Sequence, residues 1–195
     1  MAPSGGLSPS ITMAGIRPMR NEFDDFRRPP DQPYAPDGRV LVVPANAVIA
    51  TGSLLRRAGK LEACVFWYGT RAEGEATVKA VRAPRQTATR FNYHVDEAAM
   101  SLMCQTLAPE WRPLAQVHSH PGSSVEHSPY DDAMVSTKRA LSLVFPNYGN
   151  IAGPWPCGIG VHEWQSEYWH LLTPDQAITR VRLTGETPIS IEDLR

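Results

Sequence analysis

Cysteine is scarce in this chain. Only three occur, Cys64, Cys104 and Cys157, with no CxxC pair among them. An odd, scattered set argues against a disulfide framework and against a cysteine-based zinc knuckle, and a reducing cytoplasm is the expected setting. Net charge is scarce as well. Nineteen basic and 20 acidic residues leave a formal charge of -1, so no global field recruits nucleic acid or an anionic membrane. No run of about 18 apolar residues exists, and no membrane span is expected. The opening MAPSGGLSPS lacks a continuous apolar stretch, so no secretory signal is expected either.

What the chain does have is proline, 18 residues in all, and an ordinary globular balance of 42% hydrophobic and 20% charged residues over 195 positions. That length favours one domain with a core of useful size. The prolines are unevenly spread. MAPSGGLSPS and RRPPDQPYAPDGR bracket residues 1–39, whose composition buries too little apolar area to offset its ordering entropy. We expect a flexible or extended arm there, with Phe23 and Phe26 of NEFDDFRR as stray aromatics or a docking peptide, and a folded domain over 40–195.

Within that domain Val40 to Val43 is a β-branched run ended by Pro44, a residue suited to a helix N-terminus. Val48, Ile49, Leu54 and Leu55 then give a helical apolar face, with Gly59 as its stop. LEACVFWYGT reads as a buried strand, and ATVKAVRAP alternates with period two as a second. RFNYHV is expected as a third strand. DEAAMSLMCQTLA is a helix capped by Asp96, with Met100, Met103, Cys104 and Leu107 on one face. PLAQVHSHP is a strand, SPYDDAMVSTKRALSL a helix, PCGIGVHEW and EYWHLLT a hairpin, and ITRVRL a final strand or helix edge. Trp155, in the loop NYGNIAGPWPCG, sits on an irregular turn or a mobile rim. The order predicts an α/β (α+β) fold, with a mixed central β-sheet flanked by helices.

The chemistry gathers in VHSHPGSSVEHSPYD. Residues two apart on a strand share a face, so His118 and His120 point the same way where Pro121 and Gly122 end the strand. Ser128 then suits an N-cap, Pro129 the first helical position and Asp131 the third, from which its carboxylate reaches back toward the histidines. Two imidazoles and one carboxylate are the ligand set of an open catalytic zinc site, where the metal acidifies a water and polarises a carbonyl. Ser128 is placed to donate to a developing oxyanion, and Glu62, a carboxylate flanked by Leu61 and Ala63, is the best candidate for the base. Asp132 points about 100° away from Asp131 on a helix and is the weaker ligand. His127 reads as a loop residue or substrate contact. His94, His162 and His170 lie in strand-like segments and are expected to be structural.

HSHP followed by SPYD resembles the JAMM signature of the JAB/MPN+ metalloproteases. Ten residues separate His120 from Asp131, and the serine stands three before the aspartate. The strand led by Glu62 is similar to the family's glutamate-bearing strand, with ACVFWYG in place of the usual glycine-rich continuation. The resemblance spans roughly Pro44 to Thr173. It implies the JAB/MPN (cytidine-deaminase-like) fold and a zinc metalloprotease in which His118, His120 and Asp131 bind Zn2+. It further implies Glu62 as general base and acid, and Ser128 as the group that stabilises the tetrahedral intermediate. The single-domain layout resembles bacterial JAB isopeptidases of antiviral defence operons. Such enzymes process the C-terminus of a ubiquitin-like protein or deconjugate it, beside E1-like and E2-like enzymes. Two alternatives stand beside this: a peptidase acting on a sulfur-carrier protein in cysteine or cofactor biosynthesis, and a non-catalytic MPN scaffold. A DNA-associated relative is disfavoured by the near-neutral charge.

Overall fold

The computed structural model describes residues 31–36, 38–135 and 137–195. Most of the arm, including Phe23 and Phe26, lies outside the described residues. The chain runs β1 (Val40–Pro44), α1 (Ala45–Arg56), β2 (Cys64–Ala72), β3 (Glu75–Ala83), β4 (Thr87–Ala88), β5 (Tyr93–His94), α2 (Glu97–Gln105) and β6 (Arg112–Ser119). It continues through α3 (Pro129–Met134), β7 (Leu141–Phe145), β8 (Gly160–Gln165), β9 (Tyr168–Leu171), α4 (Pro174–Arg180), β10 (Val181–Thr184) and β11 (Ser190–Asp193). Nine strands form one mixed sheet in the order β10-β1-β3-β2-β6-β7-β8-β9, with β11 alongside β3. The mixed α/β architecture with helices against the sheet is the one expected. Among the described residues no helix is long and apolar enough to cross a membrane.

The central strand β2 shows why its sequence is a continuous apolar run. Val65 and Trp67 face a core shared with Leu54 and Leu55 of α1, while Cys64, Phe66 and Tyr68 face a second core with Met103 of α2. Both faces are covered, so alternation disappears. Trp67 satisfies its indole N–H by donating to Thr51 Oγ1 of α1 at 2.8 Å. The α2 cap is as expected, Asp96 accepting from the Ala99 N–H at 2.7 Å. Only Ala99 and Met103 of that helix are buried, and Cys104 is exposed.

Three expectations need correction. SPYDDAMVSTKRALSL is not one helix: α3 stops at Met134, and Leu141–Phe145 is a central strand parallel to β6. All five residues of β7 are buried, and a short apolar run buried on both faces carries no periodic signal to separate strand from helix. RFNYHV gives only the two-residue β5, paired with β4 in a separate ribbon. The edge strand β11 was not expected. Packed chain also begins earlier than Val40. Tyr34 donates to Glu163 Oε2 at 2.6 Å, Tyr168 donates to Asp31 Oδ1 at 2.8 Å, and the Ala35 N–H donates to Gln165 Oε1 at 3.0 Å. The described part of the proline-rich segment therefore lies against β8 and β9. Trp155 packs toward Trp67 and Phe145, with ring centroids 6.4 and 6.3 Å away.

Candidate metal centre

Strand pairing sets the site. In the antiparallel β2–β6 pair Cys64 stands opposite His118, and residues opposite one another share a face. His118 thus points to the Tyr93 side of the sheet, where its ring lies 5.4 Å from that of Tyr93. His120 lies just past the strand end, held by its N–H to Phe145 O at 2.9 Å and by Tyr148 N–H to its own carbonyl at 2.8 Å. Ser128 caps α3 in a capping box with Asp131: Ser128 Oγ accepts from the Asp131 N–H at 3.2 Å, and the Ser128 N–H donates to Asp131 Oδ2 at 2.7 Å. Proline at the first helical position completes the expected start.

These constraints bring three ligand atoms together. His118 Nε2 is 3.1 Å from His120 Nε2 and 3.2 Å from Asp131 Oδ1, and His120 Nε2 is 3.3 Å from Asp131 Oδ2. All three residues are buried, and the group could hold a metal ion. The spacing fits. Ligand atoms at about 2.0–2.1 Å from a tetrahedral ion stand about 3.3–3.4 Å apart. The outer partners fit as well. His120 Nδ1 donates to Ser124 O at 3.2 Å, an arrangement that turns the Nε2 lone pair inward. Asp131 Oδ2 accepts from the Ser128 hydroxyl at 2.7 Å. Burial alone would raise the Asp131 carboxyl, but His118 and His120 hold it well below the usual carboxylate range. Burial alone would lower His120, and Asp131 outweighs it and raises the imidazole.

Glu62 lies two residues before β2 begins and not within it. Its segment is tied to the ligand strand by Ser119 N–H to Ala63 O at 3.0 Å and by Ala63 N–H to Ser119 Oγ at 3.2 Å. The residue is 3% exposed. Burial pushes its carboxyl from 4.5 up to about 8, against the lowering pull of His120, with Asp131 adding to the rise. The structure thus places a buried carboxyl with a raised pKa in electrostatic contact with His120 and Asp131.

His127, read in the sequence as a loop residue or substrate contact, and His162, read as structural, form a built wall beside the cluster. His127 donates from Nδ1 to Asp132 Oδ1 at 2.9 Å and accepts at Nε2 from Ser142 Oγ at 2.8 Å. Its ring stacks on His162 at 3.7 Å. Asp132 turns away from the ligands, as helix geometry requires. His162 is buried, and burial followed by the nearby His127 and His118 keep it well below its ordinary value. No sequence signal marked this cluster, because Ser142 and His162 meet only through the β7–β8 pairing.

No family model and no curated protein matches the chain. Among solved structures, the solution structure of protein DSY2949 from Desulfitobacterium hafniense is similar at 16% identity, with a TM-score of 0.49, over 75% of this chain and 94% of that one.

Proposed function

We propose that this chain is a zinc-dependent peptidase or isopeptidase of the JAB/MPN+ type, cleaving after the C-terminus of a ubiquitin-like protein. The observation that carries the reading is the triangle of His118, His120 and Asp131 ligand atoms with Glu62 buried beside it. His118, His120 and Asp131 would hold the zinc, which when bound would supply an electrophile for the scissile carbonyl and lower the pKa of a water. Glu62, buried beside the cluster, would take a proton from the attacking water and return it to the leaving amine. Asp131 and His120, fixed by Ser128 and Ser124, orient the ligand set. Ser128 has two roles in this reading. At rest its hydroxyl positions Asp131, and to stabilise an oxyanion it exchanges that 2.7 Å bond for one to the substrate. An exposed sheet edge would suit an extended tail.

The test uses a ubiquitin-like protein carrying a C-terminal extension. About one zinc per chain and cleavage abolished by a chelator are expected. Glu62→Gln should keep its zinc and lose at least about a hundredfold in rate, the usual worth of a general base. Full zinc occupancy in the native protein with intact substrate would shift the reading to a scaffold or another partner. Native zinc content in His118→Ala would overturn the ligand assignment.

A further inference from the structure

The end of the sheet away from the ligand cluster gathers positive charge. Arg39 precedes β1, Arg71 lies near the end of β2, Arg139 precedes β7 and Arg180 ends α4, and all four line two adjoining cavities of about 110 and 280 Å³. From Cys64, opposite His118, to Arg71 is seven residues along β2, or about 20 Å. The acids nearby are already engaged. Glu163 takes Arg180 in a forked pair, with Nη2 2.8 Å from Oε1 and Nε 3.0 Å from Oε2, and Glu75 takes Arg182. Arg71 and Arg139 pair with no carboxylate among the described residues. Arg71 is nonetheless fixed, its Nη2 donating to Pro113 O and to Arg139 O, each at 2.9 Å. Partial burial lowers its pKa first, and Arg39, Arg180 and Arg139 lower it further. The guanidiniums crowd one another at this end of the sheet.

We propose that this cleft binds the phosphate groups of a small polyphosphate-bearing molecule. Guanidiniums are planar forks matched to phosphate oxygens, and a ligand with more than one negative charge engages several of them at once. The enclosed shape favours a small anion over the flat acidic face of a protein. Inorganic pyrophosphate and a nucleoside triphosphate share this chemistry, and titration with each distinguishes the source: equal affinity places all recognition on the phosphates, while tighter triphosphate binding adds a base contact.

Calorimetric titration of the full chain with pyrophosphate should give one site per chain, weakened by sulfate competition. Arg139→Ala, an exposed change before β7, should weaken binding roughly tenfold, the worth of one charge-assisted bond. Arg71→Lys keeps a charge, loses the fork, and should weaken it too. Arg90→Ala, in the ribbon near Glu62, should not. Three outcomes would overturn the proposal: no binding at millimolar pyrophosphate, binding unchanged in both cleft variants, or binding lost instead in Asp131→Asn. Poly-glutamate binding as tightly as pyrophosphate would also overturn it, marking the patch as a protein-docking surface.

Discussion

Glu62 carries a clear pH signature. Its folded carboxyl, near 8, lies above its ordinary 4.5. In chelated protein between those values the folded state holds a proton that the unfolded chain has released. Stability therefore falls as pH rises through that window and levels off above it. Glu62→Gln removes the charged form. Thermal melts of the chelated proteins from pH 5 to 8 should show the Gln variant gaining on the native one as pH rises. Parallel curves would mean that Glu62 is not held in a desolvating pocket. Asp131 works in the opposite sense, its carboxyl depressed by the histidines around it.

At the level of elements, α3 is short, and its capping box carries both the helix start and the ligand geometry. Ser128→Ala should cost about 1 kcal/mol of stability, the usual worth of a cap. It should also weaken metal binding at least about tenfold, because Asp131 loses its orienting partner. Competition with a chromophoric chelator measures this, and unchanged affinity would separate the cap from the site. The bulge in β2 is a second dependency. The β2–β3 register shifts between Tyr68 and Gly69, and a Cβ on Gly69 would stand 1.9 Å from Thr77 O and 2.9 Å from Lys79 N. Both obstacles are backbone. Gly69→Ala should lower Tm by on the order of 10 °C, from roughly 3 kcal/mol of overpacking. Elements with a periodic or capped signature were legible in sequence: β1, α1, α2, β6 and the β8–β9 hairpin. So was the grouping of His118, His120 and Asp131, since a strand end and a helix cap follow local rules. The misread parts, β7 and β11, depend on what covers them. A buried run such as LSLVF presents no polar face to betray its period. The His127–Asp132–Ser142 wall stayed hidden because tertiary pairing alone unites it.

Across the whole molecule, the groups around the candidate centre come from three separated stretches: Glu62, the His118–His120 pair, and Asp131. An unfolded chain offers at most the two histidines, so a metal held by this group would bind the folded state far better. Metal at a thousandfold over its Kd should stabilise the protein by about 4 kcal/mol. That raises Tm by on the order of 10 °C, and Asp131→Ala should abolish the rise. Cys64 turns the same architecture into a built-in reporter. Its thiol is buried against the ligand strand and held un-ionised by that burial, while Cys104 and Cys157 face water. An alkylating reagent should therefore modify two thiols at once and the third only when β2 parts from β6. The rate of that third modification is a stopwatch for the opening of the seam on which the centre is assembled.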